Sequence, residues 1–150
     1  MLSVAEATDK IVSAFAPIGA EMVSVDRAFG RVLAEPLTAR LTQPPADVSA
    51  MDGYAVRAAD VATLPARLKV TLKIAAGQAP EGKIGPGEAA RIFTGAVVPA
   101  GADTIIIQEN TDADGDFVTV REGDRKPGQH IRKAGFDFKT GDVGLPAGRY

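Results

Sequence analysis

The earliest pattern of apolar and polar positions along the chain is helical. Val4, Ala7, Ile11, Val12 and Phe15 recur at the spacing that gathers side chains on one face of a helix. Ser3-Val-Ala-Glu6 is a capping box, in which the Ser3 hydroxyl accepts a first-turn N–H and Glu6 reaches back to the Ser3 N–H. A helix is predicted from there, stopped by Pro17 with Gly19. Met22 to Val25 reads as a short extended piece, after which Asp26 is placed to cap a second short helix through Leu33.

From about Met51 the period shifts to that of strands. Arg67-Leu-Lys-Val-Thr-Leu-Lys-Ile74 alternates polar and apolar as a half-buried strand does. Thr104-Ile-Ile-Ile-Gln108 is a continuous β-branched run, suited to a strand covered on both faces. Phe117-Val-Thr-Val120 follows the turn signal Asp114-Gly115-Asp116 and is expected to complete a hairpin with the strand before it. No internal repeat and no low-complexity segment interrupts the pattern. The fold class predicted is α+β, mainly β: a β-rich, barrel-like insert over 46–129, and a small discontinuous α/β domain built from 1–45 and 130–150 that serves as linker and dimerisation region. Pro44-Pro45 and Lys126-Pro-Gly128 are the expected crossing points.

Composition narrows the function. The chain has 150 residues, enough to bury a real core, and its 45% hydrophobic and 24% charged content excludes the disordered class. A net charge of −2, scattered Lys and Arg, and 5% aromatics leave no basic stripe with stacking platforms, so nucleic acid is excluded as a partner. The absence of cysteine removes thiolate zinc sites, iron–sulfur clusters and cysteine nucleophiles, and the lone His130 cannot form a multi-histidine metal site. No signal segment and no membrane-length apolar run is visible, so no membrane partner and a cytoplasmic location are expected.

Three stretches could carry chemistry. In Pro44-Pro-Ala-Asp-Val-Ser-Ala-Met-Asp-Gly-Tyr-Ala-Val-Arg57, Asp47, Ser49 and Asp52 lie within six residues. Met51-Asp-Gly-Tyr54 reads either as a tight turn, with Asp-Gly supplying positive φ, or as a loop tip where Gly53 lets a ligand approach Asp52. Arg91-Ile-Phe-Thr-Gly-Ala96 sets a hydroxyl and a glycine after a strand, which suits an oxyanion but is also how an ordinary strand ends. Arg132-Lys-Ala-Gly-Phe-Asp137 joins basic residues to an acid, a surface ion pair or a site. No Ser-His-Asp arrangement, Walker loop or GxGxxG is present.

Taken together these stretches resemble the molybdopterin molybdenumtransferase family, the MoeA group that includes the E domain of gephyrin. The resemblance rests on Pro45-Ala-Asp-Val-Ser-Ala-Met-Asp-Gly-Tyr-Ala-Val-Arg57, Gly87-Glu-Ala-Ala-Arg-Ile-Phe-Thr-Gly-Ala96, Val98-Pro-Ala-Gly-Ala-Asp-Thr-Ile-Ile-Ile-Gln-Glu109, Ile131-Arg-Lys-Ala-Gly-Phe-Asp137 and Gly141-Asp142. It covers nearly the whole chain but only the N-terminal part of the longer family members. It implies an enzyme of molybdenum cofactor biosynthesis that inserts molybdate into adenylylated molybdopterin and releases AMP, with a divalent cation such as Mg2+. It implies a homodimer whose cleft lies between the β-rich insert of one subunit and the molybdopterin-binding domain of the partner subunit, so the chain alone is expected to be inactive.

By the same resemblance the catalytic residues are Asp52 and Thr94, the substrate-binding residues Ser49, Gly53, Gly95, Asp137 and Arg132, and the metal ligands Asp52 and Asp137. A hard cation takes carboxylate oxygens and an oxyanion takes hydroxyl or amide donors, which sets Asp52 on the cation side and Thr94 on the substrate side. The sequence departs from the common pattern at Ala46 for Phe, Val48 for Asn and Phe136 for Glu. The competing expectations are a non-catalytic dimerisation or protein-binding module of the gephyrin type, and a generic β-barrel ligand binder with a closed pocket of its own.

Overall fold

The computed structural model describes residues 2–16 and 18–150. Among these described residues are one α-helix, α1 (Val4–Ser13), and ten strands: β1 (Leu37–Thr38), β2 (Val48–Ser49), β3 (Gly53–Val56), β4 (Ala66–Ile74), β5 (Glu88–Ile92), β6 (Thr104–Ile107), β7 (Thr111–Asp114), β8 (Phe117–Val120), β9 (Ile131–Arg132) and β10 (Val143–Leu145). The class is mainly β, as the sequence predicts. No described helix is long and apolar enough to cross a membrane.

The chain divides into two units, one formed by the segment up to Leu37 with Val143–Tyr150, the other by Thr38–Asp142. Pro44-Pro45 and Lys126–Gly128 both lie inside the second. In the first unit, α1 starts at the predicted capping box: Ser3 N–H donates to Glu6 Oε2 at 2.8 Å and Glu6 N–H to Ser3 Oγ at 3.3 Å. Its stop at Ala14 falls before Pro17, which lies outside the described residues. The second helix is absent. Only a single 3-10 turn, Val25–Arg27, forms there, with Ser24 rather than Asp26 preceding it. Gly30, at φ +77°, takes the chain out of helical geometry before Leu33 can be reached.

The second unit is organised by a six-stranded sheet of order β6-β3-β5-β4-β8-β7 that curls into a half-barrel. Alternation along its strands sends side chains to two cores. Tyr54, Val56, Leu68, Ala89, Ile106, Val118 and Val120 pack on one face, and Ala55, Ile74, Ala90, Ile92 and Ile105 on the other. β6, with Thr104, Ile105 and Ile106 all buried, is covered on both faces as its β-branched run predicts. Its partner is β3, paired antiparallel from Val56↔Thr104 to Gly53↔Ile107. The expected hairpin of β6 with β8 is therefore corrected: β8 turns back on β7, with Gly115 at φ +55° in a two-residue turn between Asp114 and Phe117. β2 and β9 form a separate short ribbon.

Candidate functional site

The SAMDG segment is fixed by backbone bonds on both sides before it enters the sheet. Ser49 N–H donates to Ala96 O at 2.9 Å, Gly95 N–H to Ser49 O at 2.8 Å, and Ala50 N–H to His130 O at 2.8 Å. Ser49 is buried, and its hydroxyl donates to Met51 O at 2.6 Å. It closes the turn that presents Asp52 and does not face solvent. Gly95 carries φ +82°, the left-handed geometry that turns the chain after Thr94.

This frame brings Asp52 and Thr94 together. Asp52 Oδ1 accepts both the Thr94 N–H at 2.8 Å and the Thr94 hydroxyl at 2.7 Å, across 42 positions of sequence. Asp52 Oδ2 has no partner among the described residues. The Thr94 amide, then the Thr94 hydroxyl, and more weakly the Arg91 charge hold the Asp52 carboxyl below the usual range, so it is ionised at neutral pH. The result is a fixed carboxylate with one oxygen committed and one open, beside a hydroxyl at the end of a strand.

Gly53 is needed for a different reason from either sequence expectation. It does not take positive φ. It opens β3, and a Cβ there would lie 2.0 Å from the Ile106 carbonyl oxygen of β6. Two residues with no role expected from sequence complete the surroundings. Arg91 Nη1 donates to Gly53 O at 2.7 Å and Arg91 Nη2 to Gln108 Oε1 at 2.6 Å, while Gln108 N–H donates to Asp52 O at 3.1 Å. A charged residue breaking the apolar run Ala89-Ala-Arg-Ile-Phe93 was the available signal.

Arg132 and Asp137 form a second cluster. They pair with each other at 2.6 Å, and the Arg132 guanidinium lies over the Phe136 ring, 5.2 Å from its centroid. Asp47 accepts from Lys133 Nζ at 2.8 Å and from the Ala134 N–H at 2.9 Å, and the Lys133 bond, then the amide, lowers its pKa. No hydrogen bond or ion pair links this cluster to Asp52 among the described residues. Nor do three His, Asp or Glu side chains converge there as a metal-holding group. Asp103, in the motif before β6, accepts the Ala58 N–H at 2.7 Å. A groove of about 610 Å³ along Thr71–Ile74 and Gln78–Glu81 contains neither Asp52 nor Thr94.

Comparison with known proteins agrees with this arrangement of motifs. Residues 2–150 match the family described as the MoeA N-terminal region (domain I and II). A molybdopterin molybdenumtransferase of Nostoc sp. is 44% identical over 131 residues, covering 85% of this chain and 30% of that protein. That of Haemophilus influenzae is 36% identical over 149 residues, covering 99% and 37%. The crystal structure of a molybdopterin biosynthesis moeA protein from Pyrococcus horikoshii OT3 superposes with a TM-score of 0.77 at 37% identity, covering 85% of this chain and 35% of that one. The chain thus spans about a third of the length of these relatives. With its whole described length matched and its fold shared, the chain belongs to the MoeA family, as the N-terminal region of that family's proteins.

Proposed function

We propose that this chain supplies the β-lobe half of a molybdenum-transfer site, at which molybdate enters adenylylated molybdopterin and AMP leaves. The observation that carries the reading is the Asp52–Thr94 pair: a carboxylate locked by two donors from one residue, with its second oxygen free at the sheet's end. Its relatives are named molybdopterin molybdenumtransferases, and the pair lies within two of the motifs that carry the family resemblance. The remaining wall of the site comes from the molybdopterin-binding domain of a partner subunit in a homodimer. Asp137, paired with Arg132 in the second cluster, takes part with it in binding the substrate or the cation in this reading.

A divalent cation such as Mg2+ fits the donors present, because it takes one or two carboxylates and completes its shell with water and substrate phosphate oxygens. Asp52 Oδ2 would hold it, and when bound it would neutralise charge on the phosphate that departs with AMP. Thr94 fixes the orientation of the carboxylate through its amide and hydroxyl. Gly95 supplies the left-handed backbone that turns the chain after Thr94, and Gly53 lets β3 and β6 approach.

Fusing this chain to the remaining part of the Nostoc relative tests the reading. The fusion is expected to release AMP from adenylylated molybdopterin in the presence of molybdate and Mg2+, and the 150-residue chain alone is expected to release none. Turnover by the chain alone would overturn the half-site reading.

A further inference from the structure

We propose that Arg91 is the positioning residue of this site, holding the Asp52 carboxylate on Thr94 by bracing three strand ends at and just past their last ladder pairs. The proposal rests on the reading of Asp52 and Thr94 as the substrate-facing pair. The ladders of the sheet end at Gly53↔Ile92 between β3 and β5, and at Gly53↔Ile107 between β3 and β6. Asp52, Phe93, Thr94 and Gln108 all lie beyond the last ladder pairs: one backbone bond, Gln108 N–H to Asp52 O at 3.1 Å, carries β6 on against β3, and no ladder pair follows between β3 and β5.

Arg91 adds side-chain bonds across these ends. Its Nη1 donates to Gly53 O at 2.7 Å on β3 and to Ile92 O at 3.2 Å on β5. Its Nη2 donates to Gln108 Oε1 at 2.6 Å, past the end of β6. Gln108 in turn closes the brace, because its N–H donates to Asp52 O at 3.1 Å. The guanidinium itself is fixed by aromatic faces, 4.5 Å from the Phe93 ring centroid and 5.2 Å from that of the buried Tyr54. One planar group thus contacts the residue after Asp52, the residue two before Thr94, and the residue that holds the Asp52 carbonyl. A lysine carries the same charge but a single nitrogen, and cannot reach three acceptors on three strands at once.

The bond that the brace protects is read directly by amide hydrogen exchange of Thr94 in the 150-residue chain, with Ile105 and Val118 as internal controls. Asp52→Ala, which removes the acceptor, calibrates full loss. Arg91→Lys and Arg91→Met are both expected to speed Thr94 exchange about tenfold or more, toward the Asp52→Ala value, with the controls unchanged. Wild-type Thr94 exchange in Arg91→Lys would show that charge alone suffices and would overturn the proposal. Should the Arg91 variants fail to fold, Gln108→Ala removes only an exposed acceptor of the brace. It is expected to speed Thr94 exchange about threefold, and unchanged exchange there overturns the proposal equally. Because exchange reports geometry and not turnover, an AMP-release assay in which Asp52 proves dispensable would refute the site reading and leave the brace standing.

Discussion

At the residue scale, what decides a role is the neighbour and not the motif. Gly53 reads as a turn glycine, yet its constraint is the Ile106 carbonyl 2.0 Å from where a Cβ would sit. Since that neighbour is backbone in a paired strand and cannot step aside, Gly53→Ala is expected to lower stability by about 3 kcal/mol or more. Chemical denaturation measures this, and a loss under about 1 kcal/mol would mean the strands part easily. Asp47 gives a pH prediction. Lys133 and the Ala134 amide lower its folded pKa, so its contribution to stability is fully present above the unfolded value and is lost as pH falls through the lowered one. Asp47→Asn is therefore expected to shrink the loss of melting temperature between neutral pH and the range below about pH 4. An acid profile identical to that of the parent would contradict the assignment.

At the scale of elements, the sequence was readable wherever the determining residues are close together in the chain. The capping box of α1 spans four contiguous positions, and the alternation of β4 and the apolar run of β6 each declare their own burial. What was not readable depends on distant partners. Nothing local to Phe117–Val120 says that it turns back on Thr111–Asp114 while β6 pairs with β3. Likewise Arg91 looks like an interruption until Gly53 and Gln108 are brought to it by folding. Asp52 and Thr94 could be singled out by resemblance, but their contact exists only because β3 and β5 are neighbours.

One element carries a correctable defect. Thr104 in β6 is fully buried and its hydroxyl has no hydrogen-bond partner among the described residues. An unmet buried hydroxyl costs about 1–3 kcal/mol. Thr104→Val keeps the shape and removes that burden, so its melting temperature is expected to rise by about 2–4 °C. A fall would show that the hydroxyl is bonded in solution.

At the scale of the whole molecule, the two units contrast in how they treat apolar side chains. The second buries Ile92, Ile105, Val118 and their neighbours completely, whereas the first leaves Ile18, Met22, Val25 and Phe29 more than nine-tenths exposed. α1 likewise buries none of its residues. Side chains of this size left in water favour association, each gaining about 1.5–3 kcal/mol on full burial. The chain is therefore expected to show a mass in solution that rises toward that of a dimer with concentration. Met22→Lys combined with Phe29→Asp is expected to hold it at the monomer mass. A parent chain that stays monomeric at all concentrations would remove the homodimer from the account.

The central claim is that the Asp52–Thr94 pair is the working half of a transfer site. It is tested most directly by the rate of AMP release from adenylylated molybdopterin in the fusion with the Nostoc remainder, measured for Asp52→Asn and for Thr94→Val. Each variant is predicted to fall by about 100-fold or more while melting close to the parent temperature. Release within about twofold of the parent in either folded variant would contradict the claim.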